Sequence, residues 1–270
     1  MNKKSYWIFL NSFFAFVSAF IFIKAIIVIF RFLVIRYFNG STQMDNFEID
    51  CITWKFSSFW NQTSVISIYI AGFFIACVII VFAYILYRWF RTKRGFFKLW
   101  FTWLYIFAIS QSFGIFLRDI PFRRDIYHAL NWMYFPYWLM IVASLITIPA
   151  IIVLNFSNDI KFLRMSPGFD YIRSNIQRRR LYTKVALLPS IFGSIFILFL
   201  HFNNINLFEI VEKLIIIAGI VIAYFHFSRE EMLVEFRIVK NEPIGKPGLL
   251  LIILFILSLY GYLYLKNIYF

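Results

Sequence analysis

The chain has 270 residues, of which 62% are hydrophobic, 23% aromatic and 15% charged, with a formal net charge of +14. A soluble domain carries roughly 45–50% apolar and about 25% charged residues, so this composition excludes a fold whose whole surface faces water. The basic surplus lies in short loops, none long enough to build a soluble basic domain, which excludes nucleic acid as a partner.

A bilayer core of about 30 Å needs roughly 20 apolar residues of helix. Met1-Asn2-Lys3-Lys4 opens like a secretory signal. The apolar run 7–30 behind it is about twice the length of a signal core and lacks a small-residue cleavage site, so it is read as an uncleaved first span. Lys24 sits toward the outer end of that run, roughly 9 Å from Phe30 at about 1.5 Å per residue. A lysine stem can reach the interface over that distance, so snorkelling is expected.

The polar stretch 36–63 carries Asp45, Glu48 and Asp50, whose spacing matches no EF-hand loop, with Trp54 and Trp60 as part of an aromatic belt. Cys51 lies in this stretch and Cys77 within the next apolar run, at different depths, so no disulfide is expected between them.

Runs 64–87 and 97–117 are the second and third spans. The third leads into the most polar sequence near membrane depth, from Ser110-Gln111-Ser112 through Arg118-Asp119, Arg123-Arg124-Asp125 and His128 to Asn131. Polar side chains in a span usually face the bundle interior. The chemistry on offer is an outward pocket lined by Gln111 and Asn131, with Arg118, Arg123 or Arg124 binding an anion and His128 carrying a proton. The plainer account is an interfacial turn in which Asp119 pairs with Arg123 at i,i+4 and Arg118 pairs with Asp119 or Asp125. Such pairs contribute about 0.2–0.5 kcal/mol each. Asp125 and His128 supply two metal donors without a third, and no metal is expected.

The fourth span is placed at 129–154, and the basic loop 157–184 follows. After Pro167-Gly168, the residues Phe169, Ile172 and Ile176 recur at helical spacing beside Arg173, Arg178, Arg179 and Arg180. That pattern suits a short helix in the head-group layer, its apolar stripe in lipid and its arginines on anionic lipid phosphates. An acidic partner protein is the alternative. Runs 185–202, 208–227 and 249–265 complete seven spans, the fifth and sixth forming a hairpin that turns through Asn203, Asn204 and Asn206. Glu209 and Lys213 form an i,i+4 pair read as a dipole-compatible helix start rather than a proton relay. Ser228-Arg229-Glu230-Glu231 is a capping-box pattern that marks a boundary.

HExxH, GxSxG, Walker A and Rossmann glycine patterns are lacking, and His128, His201 and His226 are too scattered for haem. No cofactor is expected. Short cytoplasmic loops collect Lys and Arg. With the N-terminus inside and the C-terminus outside, inward segments hold 18 of the 27 basic residues and outward segments hold 7.

The expected fold is therefore an all-α polytopic transmembrane bundle of about seven spans, a single integral membrane domain over 1–270. The Phe, Ile, Tyr, Asn and Lys bias suits a low-GC genome, pointing to a bacterial cytoplasmic membrane or an organellar inner membrane. Three function classes follow. The first is a membrane-embedded scaffold or accessory subunit in contact with other membrane subunits, because the spans look almost wholly apolar. The second is a small solute or ion transporter using the outward polar cluster. The third, and weakest, is a membrane enzyme acting on lipid or peptide, for which no nucleophile–base pair is legible.

Overall fold

The protein is described by a computed structural model that covers residues 3–45, 48–51, 59–90, 95–156, 158–166, 172–200, 207–226 and 249–266. Long helices dominate it: α1 (Lys3–Tyr37), α2 (Gln62–Phe90), α3 (Gly95–Asp119) and α5 (Tyr137–Phe156). The short helices α4 (Asp125–Trp132) and α6 (Asp159–Leu163) flank α5. Helix α7 (Asn175–Tyr182) runs through a π-helical turn, Thr183–Leu187, into α8 (Leu188–Leu200), and α9 (Leu207–His226) and α10 (Leu249–Lys266) follow. Five stretches are long and apolar enough to cross a membrane: Tyr6–Tyr37, Gln62–Phe90, Phe97–Asp119, Tyr137–Leu154 and Asn175–Leu200.

The one departure from helix among the described elements is a hairpin of β1 (Thr42–Asp45) and β2 (Glu48–Cys51), antiparallel with Thr42 opposite Cys51. The side chains of Asp45, Glu48 and Asp50 lie outside the described residues, as do Trp54, Phe169, the Asn203–Asn206 turn and the Ser228–Glu231 pattern. Cys51 and Cys77 are not bonded to one another.

Helix ends explain why the boundaries differ from those read in the sequence. Helices α1, α3 and α4 each stop in the same six-residue motif, in which a residue with positive φ follows the helix and two amides close back onto its last carbonyls. At α1 it is Asn39 (φ 59°), with Gly40 N–H donating to Ile35 and Asn39 N–H to Arg36. At α3 it is Arg123 (φ 53°), with Arg124 N–H on Asp119 and Arg123 N–H on Ile120. At α4 it is Tyr134 (φ 61°), with Phe135 N–H on Leu130 and Tyr134 N–H on Asn131. None of the three is glycine, so the usual stop signal is missing from the sequence. The fourth apolar run is consequently split, α4 lying apart from α5 with Pro136 between them.

Left-handed backbone costs a non-glycine residue about 1–2 kcal/mol. Tyr134 is 88% exposed and gives up little packing. Tyr134→Gly is expected to raise stability by about 1 kcal/mol, read as a higher apparent Tm in detergent; an unchanged or lower Tm contradicts that strain.

Helix α1 is the spine, packed by α2, α3, α8 and α10. Its buried Phe16 sits edge-on to Trp103 and Phe107 with ring centroids 4.8 Å from each, and Phe20 lies 5.3 Å from Phe107. Indole donors are satisfied across the seam, Trp103 Nε1 on Ser12 Oγ at 2.9 Å and Trp100 Nε1 on Ser18 Oγ at 3.0 Å. An unpaired indole N–H in so apolar a core would cost about 1–3 kcal/mol.

The basic segment before α8 departs from the head-group helix expected of it. Ser174 caps α7 in a reciprocal box with Gln177, so the helix begins at Asn175 and belongs to the long Asn175–Leu200 stretch. Arg178 departs from the face expected of it. Ile176 is 63% exposed and Ile172 is buried, while Arg178 is only 2% exposed and donates to Asn175 Oδ1. Arg178 therefore points into the bundle rather than onto lipid phosphates. Arg179 lies 5.5 Å from the Tyr224 ring, and Arg173 and Arg180 remain at the surface.

At this same end, Lys161 Nζ sits 3.8 Å from the centroid of Tyr105, 5.3 Å from Tyr87 and 5.6 Å from Tyr84, and donates to Asn158 Oδ1 at 2.5 Å. Burial, then the nearby charge of Arg164, pushes this lysine down to about 8. The ring faces offset part of that cost. An unfolded lysine titrates near 10.4, so between about 8 and 10.4 the unfolded chain binds the extra proton. The linked stability is fully present above that window and is lost as pH falls through about 8. Stability measured from pH 7.5 to 10 is expected to rise more steeply in the natural protein than in Lys161→Met. Parallel slopes would show that Lys161 titrates normally.

Candidate functional site

At the end of the bundle that carries the hairpin, α1, α2, α3, α4, α5 and α9 leave a cavity of about 60 Å3. A water needs roughly 10–15 Å3 by this kind of measure, so there is room for about four waters or one small ion. Two glycines, Gly72 and Gly114, thin the walls of α2 and α3, and Ile27, Val28, Ile115, Ile151 and Ile215 supply apolar lining.

Six charged or amide side chains face this space: Lys24 and Arg31 of α1, Gln111 and Arg118 of α3, Asp125 of α4 and Glu212 of α9. Lys24 and Arg31 share one face of α1 because seven residues make close to two helical turns. Helix α1 continues to Tyr37, which leaves Lys24 about 20 Å from its end. Its ammonium turns inward to the cavity rather than along the helix toward an interface.

Glu212 is the hub. Its Oε1 accepts from Ser110 Oγ at 2.9 Å and from Gln111 Nε2 at 2.5 Å, and its Oε2 lies 3.7 Å from Lys213 Nζ. The carboxylate also faces the charges of Lys24 and Arg118. Lys213 is 2% exposed with its ammonium 3.8 Å from the Phe20 ring centroid. It is thus an interior cation; the Glu209 side chain, its expected i,i+4 partner, lies outside the described residues.

A second layer frames the opening. Arg31 Nη1 meets Asp125 Oδ2 at 2.7 Å, tying α4 to α1. Asp119 is fully buried behind Arg118, accepting from Arg118 Nε at 2.8 Å and from the Ile126 amide at 3.1 Å. That amide contact anchors the first turn of α4. The expected Asp119–Arg123 pair does not form, because positive φ at Arg123 swings its side chain out to lie 6.0 Å from the Tyr127 ring.

Of the polar cluster read in the sequence, the fold brings Gln111, Arg118 and Asp125 to the cavity and sets Asp119 behind it. Arg123, Arg124, His128 and Asn131 are exposed and do not line the cavity. His128 packs 5.6 Å from the Tyr69 ring. No group of three His, Cys, Asp or Glu suited to a metal occurs among the described residues. The residues not placed in the site by the sequence were Lys24, Arg31 and Glu212, whereas Ser110 belongs to the polar stretch already read there. The i,i+7 spacing of two cations within one apolar helix was the available signal for the first two.

Compared with known proteins, the chain matches no family model, no curated protein and no solved structure.

Proposed function

We propose that this protein is a seven-span membrane transporter for a small hydrophilic solute, with its N-terminus on the cytoplasmic side. The observation that carries the reading is the convergence of Lys24, Arg31, Gln111, Arg118, Asp125 and Glu212 on one water-sized cavity between helices. Charged groups inside an apolar bundle are costly, and where they line a cavity they mark solute or ion paths. Helices α9 and α10, at 20 and 18 residues, are the right length to add the sixth and seventh crossings. The Lys and Arg bias of alternate loops supports the orientation. A bacterial cytoplasmic membrane fits that charge pattern.

An accessory-subunit role drew its support from spans that looked devoid of a water path, and the cavity removes that reason. The test is electrical recording on proteoliposomes challenged in turn with sodium acetate, potassium phosphate, ammonium chloride and glycine. A protein-dependent current with at least one of them is expected. Silence with all four, together with stable co-purification of other membrane proteins from the native host, would overturn transport in favour of the accessory role.

A further inference from the structure

We infer that the cavity binds a small monovalent oxyanion of the carboxylate class, with Lys24 Nζ and Arg31 Nε as its donors. The inference rests on the cavity described above and deepens the transport reading by naming what is carried.

Among the described residues, charge accounting around the cavity leaves one cation over. Lys24, Arg31 and Arg118 line it against Asp125 and Glu212. Adding the groups directly behind, Asp119 and Lys213, leaves the surplus of one positive charge unchanged. Three of the four cations have a carboxylate at hand: Arg31 on Asp125, Arg118 on Asp119 and Lys213 beside Glu212. Among the described residues Lys24 Nζ has no hydrogen bond or ion pair; it lies 5.7 Å from the Phe20 ring and shares the field of Glu212 with Lys213 and Arg118. Coulomb energy in a low-dielectric interior makes an ammonium that shares one carboxylate with two other cations expensive, so a bound anion at this place is stabilised by the same term.

Donor chemistry points the same way. Arg31 spends Nη1 on Asp125, but its Nε is buried without an acceptor among the described residues. A buried N–H without a partner costs about 1–3 kcal/mol, and an oxygen entering the cavity relieves it. Arg31 and Lys24 stand two turns apart on one face of α1, with Ile27 and Val28 of the lining between them. An anion thus passes from a guanidinium near the hairpin to an ammonium deeper in the bundle. The Glu212 carboxylate, held by Ser110 and Gln111, repels a second negative charge and limits occupancy to a monoanion. The volume of about 60 Å3 admits an anion of formate or acetate size.

The experiment uses the full chain in lipid nanodiscs and follows thermal unfolding against sodium acetate, with sodium chloride at equal ionic strength as reference. Acetate is expected to raise the apparent Tm in a saturable way and chloride to do so far less. Lys24→Met is expected to weaken the apparent acetate affinity about tenfold, the equivalent of one charge-assisted hydrogen bond. Lys24→Arg keeps the charge and retains binding. Arg31→Lys keeps a cation for Asp125 but deletes Nε, and weakens acetate binding as well. Equal shifts with acetate and chloride, or undiminished acetate binding in a folded Lys24→Met protein, would overturn the inference. The two readings fail separately. Acetate binding without any proteoliposome current defeats transport alone, whereas an ammonium-driven current without acetate binding defeats the oxyanion alone.

Discussion

Glu212→Leu is expected to destabilise the protein by about 3–5 kcal/mol, because it removes a carboxylate that lies 3.7 Å from Lys213 Nζ in the interior. Lys213 is 2% exposed and cannot recover hydration. Ser110 and Gln111 would each lose their acceptor on this side chain in the same step. The variant should show a markedly lower apparent Tm and poor recovery in mild detergent. Glu212→Gln keeps an acceptor oxygen for Ser110 and so should fall between the two, separating the charge effect from the hydrogen bonds. The double variant Glu212→Leu with Lys213→Met replaces the buried pair by apolar groups. Such replacements are often neutral or stabilising, so it should recover most of the lost stability while losing solute binding. A drop under about 1 kcal/mol for Glu212→Leu would show that the carboxylate is not the counter-ion of Lys213.

The contrast between single and double variants distinguishes a functional group from a structural one. A buried ion pair is weak evidence for stability, since apolar residues of similar size commonly do as well. If the double variant folds normally and binds nothing, the charges at α9 are there for the solute.

The helical architecture was legible because apolar runs of membrane length leave few alternatives, and the long stretches of α1, α2 and α3 start within a few residues of where hydropathy places them. What escaped the sequence was local chemistry at helix ends. Asn39, Arg123 and Tyr134 close three helices with positive φ and no glycine. The fourth run therefore read as one span, although its first four residues, 129–132, belong to the separate helix α4. Half of the site was legible for a related reason. Gln111, Arg118 and Asp125 fall in one polar stretch of sequence, so proximity along the chain stood in for proximity in space. Lys24 and Glu212 come from helices far apart in sequence, each with an ordinary local explanation. Only the packing of α1 and α9 against α3 shows that both face Ser110 and Gln111. Arg178 teaches the same lesson in reverse: a basic run beside apolar residues suggested a membrane-surface face, and this one member of the run turns into the bundle.

The same glycine-to-alanine change should have opposite signs at two places. At Gly193 an added Cβ would lie 2.3 Å from Phe16 Cδ1, 2.6 Å from Cε1 and 3.1 Å from Cγ. The ring cannot step aside, because Trp103 and Phe107 hold its other edges at 4.8 Å centroid distance and it is fully buried. Small residues let helix backbones approach in apolar bundles, and Gly193 does this for the crossing of α8 on α1. Alanine gains about 1 kcal/mol in helix propensity, but overpacking a closed core costs about 1–3 kcal/mol. The clash involves three atoms of an immobile ring, so the packing term wins and Gly193→Ala should lower the apparent Tm. Gly261 of α10 has no atom within 4 Å of an added Cβ, so only the propensity gain acts and Gly261→Ala should raise it. Shortening the ring in Phe16→Leu should be harmful alone, yet it should lessen the penalty of Gly193→Ala in the double variant by about 0.5–3 kcal/mol of coupling. Additive penalties at positions 16 and 193 would mean that α8 does not ride on Phe16 and that its contact with α1 lies elsewhere.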